Sequence, residues 1–362
     1  MTDSLIIERN ETIGIMTLNR PAALNTLSLE LIQKVREQLN QWQQDPNIRL
    51  ICIKGEGKKG FCAGGDVKAL AQQLDQESAQ QFAYDFFWNE YHLDYEIHVS
   101  PKPVIVVGHG ITMGGGIGLL AGATCRVVTE TTLMAMPEIT IGLFTDVGAS
   151  YFLPRMPHEI GLFLGLTATR FSGRDALYLG LADVLLKEEQ ILPWLKDCQQ
   201  VLSQSGTLMD RSSLIRLAQK RGGQLDSDLD PSLFEVHAQW IQSLVSGLSL
   251  DEIRQKFSLL KAEKDTSFPW DLSPFFHGSP TSAHLIFEQY RRGKFKTLQE
   301  CFEMEFNLSL MCCRQRDFKE GVRALLIDKD KTPRWSPPHW SEVTVDQITP
   351  YFELHQNMWR DS

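Results

Sequence analysis

Cysteine, cationic charge and long apolar runs are all in short supply in this chain, and each shortage removes a class of function. The seven cysteines are an odd number, none forms a C-x-x-C pair, and only Cys312 and Cys313 are adjacent. That usage offers neither a disulfide framework nor a zinc-binding set, and the expectation is a reducing compartment, the cytoplasm. Asp and Glu (45) outnumber Lys and Arg (36), for a net charge of -9. No nucleic-acid partner is expected, and an anionic ligand would have to be held by local N–H groups or lysines against an unfavourable global field. No uncharged apolar run reaches spanning length, so no membrane partner is expected. Residues 1–14, MTDSLIIERNETIG, lack a basic n-region and an apolar h-region, and Asp3, Glu8 and Glu11 speak against a transit peptide. A G-x-S-x-G elbow is missing, which leaves a serine hydrolase of the α/β-hydrolase type unsupported. Internal repeats and low-complexity runs are missing too.

What is present has globular composition. The 362 residues are 43% hydrophobic and 22% charged, enough for a large core and two lobes. The most informative stretch is residues 103–148, PVIVVGHGITMGGGIGLLAGATCRVVTETTLMAMPEITIGLFTDVG. A β-rich run at 104–107 turns at Gly108-His109-Gly110. Three glycines, Gly114 to Gly116, then enter a small-residue helical segment at 117–123, and a second β-rich run follows at 125–129. Glycines between a strand and a helix leave backbone N–H groups uncovered, which suits an anion or a developing oxyanion. Two carboxylates, Glu138 and Asp146, then fall inside an otherwise apolar segment, where an acid needs a partner or a task.

In chain order, residues 5–8 and 13–18 read as strands. A helix begins after Ser28 as N-cap, with Leu31, Ile32, Val35, Leu39 and Trp42 on one apolar face and Pro46 beyond its end. Residues 50–54 read as a buried strand, and Phe61-Cys62-Ala63-Gly64-Gly65-Asp66 as a second glycine turn feeding a helix. Two such turns can each offer one amide to the same oxygen, although close backbone packing explains them equally well. Residues 77–97 form a long helix carrying Glu90, which on helix pattern alone is a solvated residue. Residues 149–186 look helical, and the chain turns strongly helical beyond about residue 190, dividing it into a core at 1–190 and a helical region at 191–362. Cys62 with His109 is the other nucleophile pairing on offer. A small cysteine packed under a glycine turn and a hydrogen-bonded turn histidine are the commoner explanations.

Four segments, NRPAALNTL (19–27), GFCAGGDVKAL (60–70), PKPVIVVGHGITMGGGIGL (101–119) and AMPEITIGLF (135–144), resemble the enoyl-CoA hydratase/isomerase, or crotonase, superfamily. The resemblance implies an α/β fold: a spiral of ββα units with two roughly perpendicular (ClpP-like) sheets, followed by a helical C-terminal region. It implies an acyl-CoA thioester substrate whose carbonyl lies between the amides of Gly65 and Gly115, with the carbonyl oxygen of Ala63 meeting the adenine. It implies no cofactor, since CoA is part of the substrate, and no metal. A homo-oligomer is one assembly implied; a helical second half covering the same surface is the other. Hydratases of the superfamily use two glutamates, and the place of the first is held here by Gly118, while the second matches Glu138. Residues 317–330, DFKEGVRALLIDKD, extend the likeness almost end to end toward a branch that hydrolyses a 3-hydroxyacyl-CoA thioester. In that branch Glu90, Gly115, Glu138 and Asp146 correspond to substrate-site residues, Glu138 being either nucleophile or general base. Thr145 and Ala149 stand where its members more often carry proline and glycine.

Overall fold

The computed structural model describes residues 3–205, 207–263, 267–353 and 356–359. Among the described residues ten strands make two sheets. In the larger, β1 (Leu5–Asn10) runs antiparallel to β2 (Ile13–Leu18), and β3 (Leu50–Gly55), β5 (Val104–Gly108), β7 (Cys125–Val128) and β10 (Val184–Leu185) add on in parallel. The smaller sheet has the order β4 (Gly60–Cys62), β6 (Ile111–Met113), β8 (Leu133–Ala135) and β9 (Phe171–Ser172). From β3 to β8 the chain gives one strand to the large sheet and the next to the small one. This alternation is the spiral of ββα units that the sequence resemblance implies.

The chain falls into two compact units, each assembled from separate segments: Met1–Asp66, Asn89–Met134 and Phe171–Val236 in the first, and Val67–Trp88, Ala135–Arg170 and His237–Ser362 in the second. Both sheets belong to the first. Alternate residues of its parallel strands, Ile13, Ile15, Leu50, Cys52, Ile105, Val107, Cys125 and Val127, share one sheet face. They pack against Trp194, Cys198, Leu202, Leu214 and Ala218, so the composition change near residue 190 falls inside this unit. Parallel strands covered on both faces read as near-continuous apolar runs, which is how β2 and β5 stood out.

The helices follow their caps and apolar faces. In the first half they are α1 (Leu29–Gln44), α2 (Val67–Gln73), α3 (Ala79–His98), α4 (Gly115–Ala121), α5 (Ala149–Phe152), α6 (Ile160–Thr167) and α7 (Gly173–Tyr178). Then come α8 (Glu188–Ser205), α9 (Arg211–Lys220), α10 (Leu233–Val236), α11 (Ala238–Val245) and α12 (Leu250–Glu263). The last are α13 (Ser273–His277), α14 (Pro280–Gly293), α15 (Leu298–Arg314), α16 (Arg316–Val322) and α17 (Val345–Ile348). Ser28 caps α1, its hydroxyl accepting from Leu31 N–H at 3.2 Å. Thr297 and Glu300 cap α15 reciprocally. Within the second unit α6 is buried on every side, as an all-apolar helix must be.

One expectation fails. Residues 149–186 are not continuously helical: two strands interrupt them, β9 pairing Phe171 with Met134 and β10 pairing Val184 with Val127. Left-handed backbone at His158, Glu159 and Ala168 also breaks the helix. Two-residue strands exist only because a partner waits for them, and no local pattern announces that partner. Among the described residues no helix is long and apolar enough to cross a membrane.

His98, at the end of α3, is seated against Gly122. Burial, with the charge of Arg126 adding, pushes its imidazole down to about 4 from the ordinary 6.5. Between those values the unfolded chain binds a proton that the folded chain refuses, so stability is lost as pH falls through this window. Thermal melts at pH 7, 6, 5 and 4 should fall in midpoint for the wild type, and less steeply for a His98→Gln variant.

Candidate active site

Within the first unit the two glycine turns meet. Leu27 forms a parallel bridge with Gly65. Leu27 N–H donates to Gly64 O and Leu27 O accepts from Asp66 N–H, both at 2.9 Å. A parallel bridge uses the groups on either side of its partner residue, so Gly65's own N–H faces away from Leu27. Gly115 is the first residue of α4, whose opening N–H groups have no partner inside the helix. A methyl group built on Gly115 would lie 3.4 Å from Gly65 N and 2.6 Å from Glu90 Oε1. The expected pair of amides and Glu90 are therefore brought together.

What holds this arrangement is partly legible in the motifs. Asn25, fully buried, accepts from Arg20 N–H at 2.8 Å and donates to Glu56 O and Gly60 O at 3.0 and 3.1 Å. Arg20 reaches Asp66 at 3.0 Å and so ties down the residue after Gly65. Ala63, two residues before Gly65, is half-buried and donates its N–H to Leu24 O at 3.0 Å. His109 is a turn histidine, its Nε2 lying 2.7 Å from Gly57 O. Burial pushes the Cys62 thiol up to about 12, so little thiolate exists at neutral pH.

Glu90 corrects the helix-pattern expectation of a solvated residue: it is buried, as is Asp94 one turn further along α3. Both add to the rise of the Cys62 thiol. An acid pair at i, i+4 among Phe86, Phe87, Tyr91 and Leu93 was the signal that sequence reading passed over.

Within the second unit, Glu138 is buried and opens the single turn Glu138–Ile141. Gly142 ends that turn with φ +71. A side chain there would overlap the carbonyl oxygen of Asp317, and one at Gly321 would overlap the backbone of Ile141. Close backbone approach thus explains why α16 carries glycine. Asp317 fastens the neighbourhood: it accepts from Ser279 Oγ at 2.6 Å and from Ser336 N–H at 2.8 Å, while Ser279 N–H donates to Ile139 O at 3.0 Å. Burial raises the Asp317 carboxyl above its ordinary value, those donors pulling it back.

Asp146, also buried, begins a tight turn closed by Ala149 N–H donating to Asp146 O at 3.0 Å. Its central residues, Val147 and Gly148, have φ of +56 and +88. A β-branched residue in left-handed backbone is strained by about 1–3 kcal/mol. Glu305, which sequence reading missed, supports the turn: its two oxygens accept from Gly148 N–H and Ser150 N–H, each at 2.7 Å. Burial pushes the Glu305 carboxyl up to about 8; Gly148 and Ser150 oppose the rise and the charge of Asp146 adds to it. Its place among Phe302, Phe306 and Leu308 on α15 was the available signal.

A cavity of about 580 Å³ in this unit is lined by Arg314, Arg316, Lys319 and Arg323 beside Leu74 and Cys313. Lys319 pairs with Asp75, and Arg323 with Glu320, Asp328 and Asp330. Among the described residues no group of three or more His, Cys, Asp or Glu side chains is arranged to hold a metal ion.

The chain is 38% identical over 353 residues to "3-hydroxyisobutyryl-CoA hydrolase, mitochondrial" of Homo sapiens, covering 97% of this chain and 89% of that protein. The protein of the same name from Gallus gallus is 40% identical over 356 residues, covering 97% and 90%. Among solved structures, a carnitinyl-CoA dehydratase from Mycobacterium thermoresistibile matches with a TM-score of 0.85 at 30% identity, and an enoyl-CoA hydratase from Rhodobacter sphaeroides 2.4.1 with 0.82 at 30%, each covering 97% of both chains. The relatives' names overturn the cytoplasmic expectation: they are mitochondrial proteins. Free thiols, as all seven cysteines are, fit any reducing compartment and so never singled out the cytoplasm. The family model described as enoyl-CoA hydratase/isomerase matches residues 13–352, and the chain belongs to that family.

Proposed function

We propose that this chain hydrolyses 3-hydroxyisobutyryl-CoA to 3-hydroxyisobutyrate and free CoA, a step of valine breakdown, with no cofactor. The observation that carries this reading is similarity at 38–40% identity, over 97% of the chain, to relatives named for that activity. The pair of glycine amides supports it, since an acyl transfer needs donors aimed at the oxyanion of its tetrahedral intermediate. In this reading the thioester oxygen accepts from Gly65 and Gly115, Glu90 lines the substrate beside Gly115, and the carbonyl of Ala63 accepts from the adenine amino group. Glu138 either attacks the carbonyl carbon, releasing the CoA thiolate and leaving an anhydride that water opens, or takes a proton from the water that attacks directly. In both routes the thiolate leaves and is protonated. Asp146 accepts a hydrogen bond from the 3-hydroxyl.

A second reading is hydration, favoured by the printed names of the two structural neighbours at 30% identity. Hydration needs one group to activate water and another to handle the α-carbon proton. Gly118, buried inside α4, offers none. Release of free CoA, followed with a thiol reagent, separates the two: the hydrolase liberates it and a hydratase does not.

Three substitutions extend the test. Proline at position 115 occupies the first position of α4, where helices tolerate it, but removes the N–H. Gly115→Pro should lose about 100- to 1,000-fold in kcat relative to Gly115→Ala, which sets the same β-carbon 2.6 Å from Glu90 Oε1 but keeps the N–H; equal turnover by the two folded variants removes that amide from the oxyanion site. Glu138→Gln should bind the thioester and be nearly inactive. Single turnover of the wild type in heavy-oxygen water then distinguishes the routes: label in the Glu138 peptide arises only from an anhydride that water opens at the glutamyl carbon, whereas direct attack by water labels only the product acid. Asp146→Ala should lower kcat/KM for 3-hydroxyisobutyryl-CoA about 10- to 150-fold, the equivalent of one charge-assisted hydrogen bond, and leave isobutyryl-CoA little changed. Equal losses on both substrates would give Asp146 a chemical role instead.

A further inference from the structure

Asp146 sits on a backbone that would not hold its shape unaided. Val147 and Gly148, the residues directly after it, are both left-handed, and valine is among the residues least suited to that conformation. Two buried polar side chains grip the chain on either side. On one, the oxygens of Glu305 accept from Gly148 N–H and Ser150 N–H, each at 2.7 Å. On the other, Gln289 Nε2 donates to Thr145 O and, at 2.9 Å, to Thr145 Oγ1. Glu305 and Thr145 are completely buried, and Gln289 is 1% exposed. The two braces come from different helices, α14 and α15, so the residue before Asp146 and those after it are anchored independently.

Packing alone does not call for these groups. A buried carboxyl and a buried amide each cost more to desolvate than an apolar side chain of equal size. The Phe302 ring already fills the space under Gly148, where an added methyl would approach it to 3.1 Å. What the polar groups add is direction: three of the four bonds land on backbone atoms within four residues of Asp146, and the fourth lands on the Thr145 hydroxyl. The cost of burying Glu305 is visible in its carboxyl, pushed up to about 8 with the charge of Asp146 contributing.

We propose that Glu305 and Gln289 are positioning residues, which hold the strained turn so that the Asp146 carboxylate faces the acyl group and enforces preference for a 3-hydroxyl. This rests on the reading of Asp146 given above. Neither residue touches substrate; both act through the backbone that carries Asp146.

The test measures, for the full chain, the ratio of kcat/KM for 3-hydroxyisobutyryl-CoA to that for isobutyryl-CoA, with circular dichroism and a thermal melt for each variant. Glu305→Gln keeps the shape and one acceptor oxygen but turns an amide NH2, a donor, toward a backbone N–H. Gln289→Leu removes the opposite brace and covers the case in which the first variant does not fold. Each should lower the ratio about 3- to 10-fold, the equivalent of one hydrogen bond. Either change made in an Asp146→Ala chain should lower it no further, because coupled residues are not additive. An unchanged ratio in the folded variants, even with a lower melting temperature, makes the braces ordinary core residues and overturns the proposal. So does a loss that adds in full to that of Asp146→Ala. Failure of the underlying reading looks different: Asp146→Ala itself then leaves the ratio where it was, and the proposal falls with that reading.

Discussion

The absence of a side chain at a few contact points is the constraint on which the rest of the first unit depends. A β-carbon on Gly116 would overlap the carbonyl oxygen of Cys62, and one on Gly64 would stand 3.2 Å from the carbonyl oxygen of Met113. Only glycine lets α4 start directly against β4 and the turn that follows it. That approach places Gly115 beside both the Gly65 nitrogen and Glu90. The supporting polar contacts, Asn25 to three backbone groups and Arg20 to Asp66, fix a loop whose position the glycines have already made possible.

The second unit solves a different problem, that of keeping acids out of water. Glu138, Asp146, Glu305 and Asp317 are all at most 5% exposed. Glu305 is answered by two backbone N–H groups just after Asp146, and Asp317 by Ser336 N–H and the hydroxyl of Ser279, whose own N–H donates to Ile139 O in the turn that Glu138 opens. Glu305 thus braces the loop of Asp146 directly, and Asp317 reaches the turn of Glu138 through Ser279. Such an arrangement stabilises less than an apolar core of the same volume, and its compensation is a defined direction for a carboxylate.

Much of this was readable along the chain. Every strand of the large sheet except β10, the Ser28-capped helix, both glycine turns and the acids Glu138 and Asp146 stood out, because each rests on a local rule: apolar alternation, a capping hydroxyl, backbone conformational freedom, or the rarity of acid in an apolar run; Gly65 and Gly115 were singled out within those turns by the resemblance. The motifs around Asn19 and Asp317 were visible as resemblance before they had a physical meaning. Asn25 and Asp317 turn out to be chosen for hydrogen bonds to segments far along the chain.

What the sequence by itself determined is therefore the kind of fold and the residues with chemistry to offer. The tertiary structure alone decided which of them are buried and what supports them. Glu90 reads as a solvated helix residue until α3 is packed and buries it. Glu305 reads as one charge among several on α15 until the Gly148 and Ser150 amides arrive over 150 residues away in sequence. The two-residue strands β9 and β10 do not exist without β8 and β7 to pair with. Burial and pairing are properties of contacts between distant segments, and a local pattern carries no record of its partner.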